Sequence, residues 1–183
     1  MRRRSFQVVA STVLLLAVAF VKTAASKSEE PKIRKGMKIT SSAFREGGDI
    51  PAKYSRGEGN INPPLHIEET PNEAKSLVLI MDDPDAPVGL FTHWLVWNID
   101  PKTTDVLEHS TPKGAVEGTN DYPNQGYGGP QPPSGVHRYY FKFFALDQTL
   151  DLRAGARRKE VENAIKGHVI AQGQLMGRYA HRK

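Results

Sequence analysis

The chain has 183 residues, with 25 lysines and arginines, 20 aspartates and glutamates, and no cysteine. This length predicts one domain, and the absence of cysteine excludes disulfides, thiol catalysis and thiolate metal ligands. The formal net charge is +5, but no basic stripe interleaved with aromatic residues accompanies it. Nucleic-acid binding is therefore not predicted.

The N-terminus has the pattern of a secretory signal peptide. Arg2, Arg3 and Arg4 precede an apolar stretch over Val8–Val21, and small residues follow at 23–26. This stretch is shorter than the roughly 20 residues of a membrane-spanning helix, so an uncleaved anchor is the weaker interpretation. We therefore predict a secreted or periplasmic protein without a transmembrane anchor, in three segments: a cleaved signal peptide over 1–26, a flexible lead-in over 27–36 and a domain over 37–183.

Hydrophobic patterning predicts several strands in the first three quarters of the domain. Met37–Ala43 alternates apolar and polar residues, and a short strand is expected near Tyr54. Ser76–Asp82 and Phe91–Ile99 are continuous apolar runs of strand length, as expected of buried strands. His137–Leu146 predicts a long aromatic strand with His137 and Tyr139 on one face.

The C-terminal quarter predicts one helix and a last strand. Apolar residues recur at helical spacing over Ala156–Ala171, which places His168 on the packed face of the helix. Alternation resumes from Gly173 and predicts a strand. Several strands and one late helix indicate an antiparallel sheet or sandwich core with helices at its edge.

A glycine- and proline-rich stretch, 118–135, separates the second and third strong strands. Loops of this length without regular structure are uncommon inside compact domains and are usually functional or disordered. Tyr122 and Tyr127 offer packing anchors, and the prolines stiffen the chain. We therefore expect an ordered loop over the domain surface.

Polar residues stand at three strand ends beside such loops. Asp83 and Asp85 follow the first apolar run, His93 shares a face with Leu95 and Trp97 by alternation, and His137 and Tyr139 follow the long loop. Each has an ordinary structural interpretation: an Asp-Pro turn whose carboxylates cap backbone N–H groups, or a histidine satisfied in the core. Together they indicate an anion site.

In such a site the imidazoles act as donors. A carboxylate bonded to one imidazole nitrogen orients the ring, whose other nitrogen donates when the ring is protonated, and free N–H groups of Gly128 and Gly129 join them. Asp83, His93 and His137 could also hold zinc, but no local ligand spacing supports a metal site. No motif for a nucleophile or a cofactor is present, so we predict neither an enzyme nor a bound cofactor.

Four motifs occur together and in order: DPDAP at 83–87, THWLVWNI at 92–99, GYGGPQPP at 126–133 and GVHRYYF at 135–141. They resemble the phosphatidylethanolamine-binding protein family, most closely its bacterial Raf-kinase-inhibitor-like branch. The resemblance covers nearly the whole predicted domain. It implies a β-sandwich-like core of antiparallel sheets with a few peripheral α-helices, and a small cavity for phosphate-like head groups.

Carried over position by position, the resemblance implies a pocket formed by Asp83, Asp85, His93, Pro132, His137 and Tyr139, with a backbone donor at Gly129. Gln131 departs from the pattern, because relatives often have glycine or cysteine before the Pro-Pro pair. The leading hypothesis is an exported, non-enzymatic protein that binds a small phosphate- or carboxylate-bearing ligand. The alternatives are an inhibitor or interaction module acting on an extracytoplasmic protease or another protein, and a hydrolase that uses the His/Asp cluster.

Overall fold

The computed structural model describes residues 34–180. The predicted signal peptide and most of the predicted lead-in lie outside this range. Within it, no helix is long and apolar enough to cross a membrane. The regular elements in this range are β1 (Arg34–Lys35), β2 (Lys38–Thr40), β3 (Leu65–Glu68), β4 (Ser76–Asp83), β5 (Phe91–Ile99), β6 (Asp105–Val106), β7 (Val116–Glu117), β8 (Val136–Leu146), α1 (Arg158–Ile165) and β9 (Val169–Ala180).

The strands form two sheets. The larger sheet has the order β1-β9-β8-β4-β5-β7, and the smaller has the order β2-β3-β6. Neighbouring strands run antiparallel, except that β1 is parallel to β9. This arrangement confirms the prediction of a mainly β fold built from antiparallel sheets.

The larger sheet is buried on both faces. One face packs against the smaller sheet, so that Met81 and Phe141 of the larger sheet share a core with Ile67 of β3. The other face packs against α1 through Val161 and Ile165. Burial on both faces explains why β4 and β5 have continuous apolar sequences instead of alternating ones.

The long predicted strands are confirmed within one residue at each end, since β4, β5 and β8 coincide with the apolar runs. The short strand expected near Tyr54 is wrong. Ala52–Tyr54 forms one turn of 3-10 helix, in which the Tyr54 N–H donates to the Pro51 carbonyl oxygen at 3.0 Å. Proline presets the backbone for such a turn.

The predicted helix is too long at its C-terminal end. α1 ends at Ile165 because Gly167 adopts φ +82°, a left-handed conformation that terminates helices. Strand β9 starts at Val169, so His168 does not lie on a packed helical face. Its Nδ1 instead pairs with Asp147 Oδ1 at 2.9 Å on the surface.

The outer edge of β9 is covered along most of its length. β1 pairs with Ala171 and Gln172. Farther along, the Met176 carbonyl oxygen accepts from the Gly47 N–H at 2.8 Å, and the Arg178 N–H donates to the Gly48 carbonyl oxygen at 2.8 Å. The Met176 N–H is capped by the Glu46 carboxylate at 2.9 Å. These contacts satisfy backbone groups that an edge strand would otherwise expose.

Asp82 joins three elements at the face covered by α1. Its side chain is fully buried, and its Oδ2 accepts from Lys142 Nζ of β8 at 2.8 Å and from Arg158 Nη1 of α1 at 2.9 Å. Arg158 also pairs with the exposed Glu162 one turn along the helix. Asp82 is thus the ion-pair partner that holds α1 to the centre of the sheet.

We predict that Asp82→Ala lowers the free energy of unfolding by about 2–3 kcal/mol, because two partly buried cations lose their shared partner. Urea denaturation of the purified protein measures the change. Glu162→Ala is the control, and it should cost no more than about 0.5 kcal/mol, since its ion pair is exposed. Equal losses in the two variants would contradict the role assigned to Asp82.

Candidate functional site

A cavity of about 200 Å³ opens at one end of the larger sheet. It lies where β4 ends and β5 and β8 begin, and two loops complete its wall. The side chains that line it are Asp83, Ala86, Pro87, Val88, Phe91, His93, Tyr122, Gln131, Pro132, Pro133, His137 and Tyr139. Five of the seven residues predicted from the sequence therefore meet here: Asp83, His93, Pro132, His137 and Tyr139.

A β-bulge turns His93 into the cavity. Met81 of β4 pairs with Trp94, but the next residue, Asp82, pairs with Thr92, so His93 has no partner on β4. Alternation along the sequence predicted that His93 shares a face with Leu95, and this is wrong. Leu95 packs on the α1 side, whereas the extra residue of the bulge reverses the pleat and re-aims the imidazole.

His93 is fixed by the long loop. Its Nδ1 lies 2.6 Å from the Gly128 carbonyl oxygen, and the Gly128 N–H donates to the His93 carbonyl oxygen at 2.9 Å. The imidazole is 2% exposed, and its ring is 5.1 Å from the ring of Tyr139 and 5.5 Å from that of Tyr122. Burial lowers the pKa of His93, so this histidine is held neutral.

Asp83 links the ends of β4 and β8. Its Oδ2 lies 2.7 Å from His137 Nδ1, and both side chains are more than nine-tenths buried. Its Oδ1 accepts the Asp85 N–H at 2.8 Å, which closes the Asp-Pro turn. One oxygen of Asp83 therefore caps the turn, as the structural interpretation predicted, while the other orients the His137 imidazole.

The Tyr139 hydroxyl is buried and has no hydrogen-bond partner among the described residues. The residue is 0% exposed and lines the cavity. Burial and the nearby Asp83 carboxylate raise the pKa of its phenol well above the usual range, so it remains protonated. A buried hydroxyl without a partner is costly, so the Tyr139 hydroxyl is a candidate donor to a bound ligand.

Asp85 does not line the cavity. Its carboxylate accepts three hydrogen bonds from Arg138, from the backbone N–H, Nε and Nη2, at 2.9, 2.9 and 2.6 Å. The Arg138 guanidinium lowers the pKa of Asp85 to about 2. These contacts fit a role of Asp85 in stiffening the loop, because both carboxylate oxygens already accept hydrogen bonds from Arg138.

Gly129 does not line the cavity either. The expectation that the N–H groups of Gly128 and Gly129 are free is wrong, since the Gly129 N–H donates to Asn60 Oδ1 at 2.8 Å and the Gly128 N–H donates to His93. A Cβ on Gly129 would lie 2.2 Å from the Tyr54 carbonyl oxygen. Glycine at this position therefore lets the backbones of two loops pack closely against each other.

Sequence reasoning missed two aromatic walls of the cavity. Phe91 and Tyr122 pack edge to face, with ring centroids 4.8 Å apart, and their centroids lie 5.1 and 5.5 Å from that of His93. Arg56 stacks over the Tyr122 ring at 4.0 Å. Of the two, only Tyr122 carries a signal in the sequence, as an anchor of the loop, and nothing local to Phe91 distinguishes a cavity wall from the core.

Exposed apolar side chains occur in the segments that frame the cavity. Val88, which lines the cavity, is 81% exposed, Leu90 is 49% exposed and Val136, next to His137, is 59% exposed. These side chains make the surface around the cavity partly apolar.

The arrangement suits non-covalent binding of a small anion. Asp83 orients the His137 ring so that its Nε2 can donate when the ring is protonated, and the Tyr139 hydroxyl is a second donor. Within residues 34–180, no group of three or more histidine and carboxylate side chains is placed to hold a metal ion.

The sequence matches known proteins over most of its length. The profile of the phosphatidylethanolamine-binding protein family matches residues 40–180. A UPF0098 protein of Methanothermobacter thermautotrophicus is 47% identical over 148 residues, which is 78% of this chain and 98% of that protein. One of Pyrococcus horikoshii is 51% identical over 148 residues, which is 76% of this chain and 74% of that protein.

Solved structures share the fold. The crystal structure of a phosphatidylethanolamine-binding protein homolog from Chlamydia trachomatis has a TM-score of 0.77 and 42% identity, covering 80% of this chain and 99% of that one. YbcL of Escherichia coli, described as a member of the mammalian family, has a TM-score of 0.76 and 27% identity with the same coverage.

We predict that Tyr139→Phe leaves the free energy of unfolding within about 0.5 kcal/mol of wild type or raises it, because the lost hydroxyl has no hydrogen-bond partner within residues 34–180. The matched control is Tyr127→Phe, whose hydroxyl donates to the Tyr54 carbonyl oxygen at 2.9 Å and whose loss should cost about 1 kcal/mol or more. Urea denaturation without added ligand compares the two variants. A larger loss in Tyr139→Phe would show that this hydroxyl is used within the fold.

Proposed function

The chain belongs to the phosphatidylethanolamine-binding protein family, and from this premise we propose that it binds a small anion, a phosphate or carboxylate head group, in the cavity at the end of the larger sheet. The observation that carries the proposal is the pairing of His137 with the buried Asp83 carboxylate at 2.7 Å. This pair lines the same cavity as Tyr139, whose buried hydroxyl has no hydrogen-bond partner in the described part of the chain.

The size of the cavity supports a head group instead of a whole lipid. About 200 Å³ is below the roughly 300 Å³ at which pockets for larger organic ligands begin. The Asp83 carboxylate, 2.7 Å from His137 Nδ1, fixes the orientation of the His137 ring in the cavity wall.

We propose binding, not catalysis. None of the side chains that line the cavity is a serine, threonine, cysteine or lysine, so the wall offers none of these common nucleophiles. Turnover of a panel of phosphoesters that disappears in Asp83→Asn would overturn this assignment in favour of a hydrolase.

Export from the cytoplasm is part of the proposal. It rests on the basic, apolar and small-residue order of residues 1–26. The expected compartment is the periplasm or the extracellular space, and the absence of cysteine makes the fold independent of the redox state there.

A second candidate function is interaction with a protein partner, such as an extracytoplasmic protease. The exposure of Val88, Leu90 and Val136 around the cavity favours it. A protease inhibited by the wild-type protein and by His137→Ala, but not by Val88→Asp, would support this function over ligand binding.

We predict that His137→Ala weakens binding of O-phosphoethanolamine by about tenfold to a hundredfold, the value of a charged hydrogen bond. The His93→Ala, His137→Ala double variant should bind none that calorimetry detects. Isothermal titration calorimetry of the purified protein makes both measurements.

The control is His66→Ala. This imidazole also pairs with an aspartate, Asp105, at 2.8 Å, but it lies exposed on β3, away from the cavity. Its removal should leave binding unchanged. Unchanged binding in the double variant would overturn the proposed function.

A further inference from the structure

Asn120 is a fully buried polar side chain inside the glycine- and proline-rich loop, and it does not line the cavity. It is 0% exposed, and the cavity wall is made by other residues. Burying an amide is costly unless its hydrogen-bonding groups are satisfied. The groups that satisfy Asn120 therefore show which part of the loop this residue holds.

The Asn120 side chain bonds to three backbone groups of the loop. Its Oδ1 accepts the Tyr122 N–H at 2.9 Å and the Asn124 N–H at 3.2 Å. Its Nδ2 donates to the Gly126 carbonyl oxygen at 2.8 Å. An amide provides both the acceptor and the donor that this set requires, whereas an ionised aspartate would place a second acceptor against the Gly126 carbonyl oxygen.

The segment that Asn120 braces contacts the His93 imidazole at two points. The Gly128 carbonyl oxygen lies 2.6 Å from His93 Nδ1, and the centroid of the Tyr122 ring lies 5.5 Å from that of the imidazole. The three loop residues pack against each other, because a Cβ on Gly128 would lie 3.1 Å from Asn120 Nδ2 and 2.6 Å from Tyr122 Cδ2. Asn120 thus touches both loop groups that contact the imidazole.

Backbone bonds tie the loop to β5 on both sides of this brace. The Asp121 N–H donates to the Thr92 carbonyl oxygen at 3.0 Å, and the Thr92 N–H donates to Asp121 Oδ2 at 2.7 Å. The Gly128 N–H donates to the His93 carbonyl oxygen at 2.9 Å. These bonds set where the loop meets the strand, but the path from 121 to 128 depends on contacts inside the loop. Asn120 supplies three of those contacts.

We infer that Asn120 is a positioning residue of the cavity, which holds the Gly128 carbonyl oxygen against His93 and so keeps the ring hydrogen on Nδ1. A carbonyl oxygen only accepts hydrogen bonds, so the neutral His93 ring carries its hydrogen on Nδ1 while this oxygen stays in place. When the oxygen moves away, the other tautomer becomes accessible. The consequence for ligand affinity rests on the proposed function, whereas the effect on the imidazole does not.

Asn120→Asp and Asn98→Asp form a matched pair of variants. Asn98 braces another segment in the same manner, since its Nδ2 donates to the Leu150 carbonyl oxygen at 2.9 Å and its Oδ1 accepts the Leu150 N–H at 2.8 Å. It lies near the end of β5 that is away from the cavity. Each substitution removes an amide donor, so both variants should unfold at a lower urea concentration than the wild type. A loss of stability shared by both cannot explain a change confined to one.

Nitrogen-15 NMR of the imidazoles separates positioning from stability. In the wild type and in Asn98→Asp, His93 should carry its hydrogen on Nδ1 alone. In Asn120→Asp a population with the hydrogen on Nε2 should appear, because the carboxylate repels the Gly126 carbonyl oxygen and displaces the loop next to Gly128. An unchanged His93 spectrum in folded Asn120→Asp, or the same change in Asn98→Asp, would overturn the inference.

Isothermal titration calorimetry with O-phosphoethanolamine measures the consequence for binding. Asn120→Asp should bind this probe about tenfold more weakly than the wild type, the value of roughly one hydrogen bond, and Asn98→Asp should bind it equally well. Unchanged affinity in Asn120→Asp would contradict the role of this residue in the site. Absence of binding by the wild type would overturn the proposed function, and the NMR comparison would still decide whether Asn120 positions His93.

Hydrogen exchange of the wild-type protein covers the case in which Asn120→Asp does not fold. If Asn120 braces the loop, the Tyr122 and Asn124 N–H groups that it accepts should open together with the Gly128 N–H, with the same free energy of opening. A Gly128 N–H that stays protected while those of Tyr122 and Asn124 exchange would show that the contact with His93 does not depend on Asn120. The inference would then fail.

Discussion

The reciprocal pair of hydrogen bonds between His93 and Gly128 is the interaction on which the site depends. One bond joins backbone to backbone and the other joins the imidazole to the Gly128 carbonyl oxygen. Together they attach the long glycine- and proline-rich loop to the bulge in β5, and so place Pro132 on the cavity wall. The same two bonds orient the imidazole, so the loop path and the chemistry of the cavity are fixed by one contact.

Two consecutive aspartates at the end of β4 divide structural and functional work between the faces of the sheet. Asp82 points toward α1 and forms ion pairs with Lys142 and Arg158, while Asp83 points toward the cavity and pairs with His137. Strand alternation alone produces this division, since neighbouring side chains lie on opposite faces. A shift of one residue in register would exchange the two roles and leave each carboxylate without its partner.

The sequence predicted the elements whose signal is local. β4, β5 and β8 are long apolar runs, and their extents were correct within one residue. The four motifs in family order identified the family, which the profile match confirms.

Short strands such as β6 and β7, with two residues each, exist only through pairing with distant partners. The predicted face of the His93 side chain was wrong for the same reason, because the bulge depends on how β5 pairs with β4. The predicted role of Gly129 was also wrong. A glycine permits close approach of another group, but the sequence does not show whether that group is a ligand or another loop.

The covered edge of β9 decides how this protein can meet other chains. Strand addition, in which a guest peptide extends a sheet through main-chain hydrogen bonds, needs a free row of donors and acceptors. Here the contacts of the outer edge with β1, Glu46, Gly47 and Gly48 occupy much of that row, and the opposite edge ends in β7, which is two residues long. Strand addition to the larger sheet, and polymerisation of the folded protein through it, therefore have little template to start from.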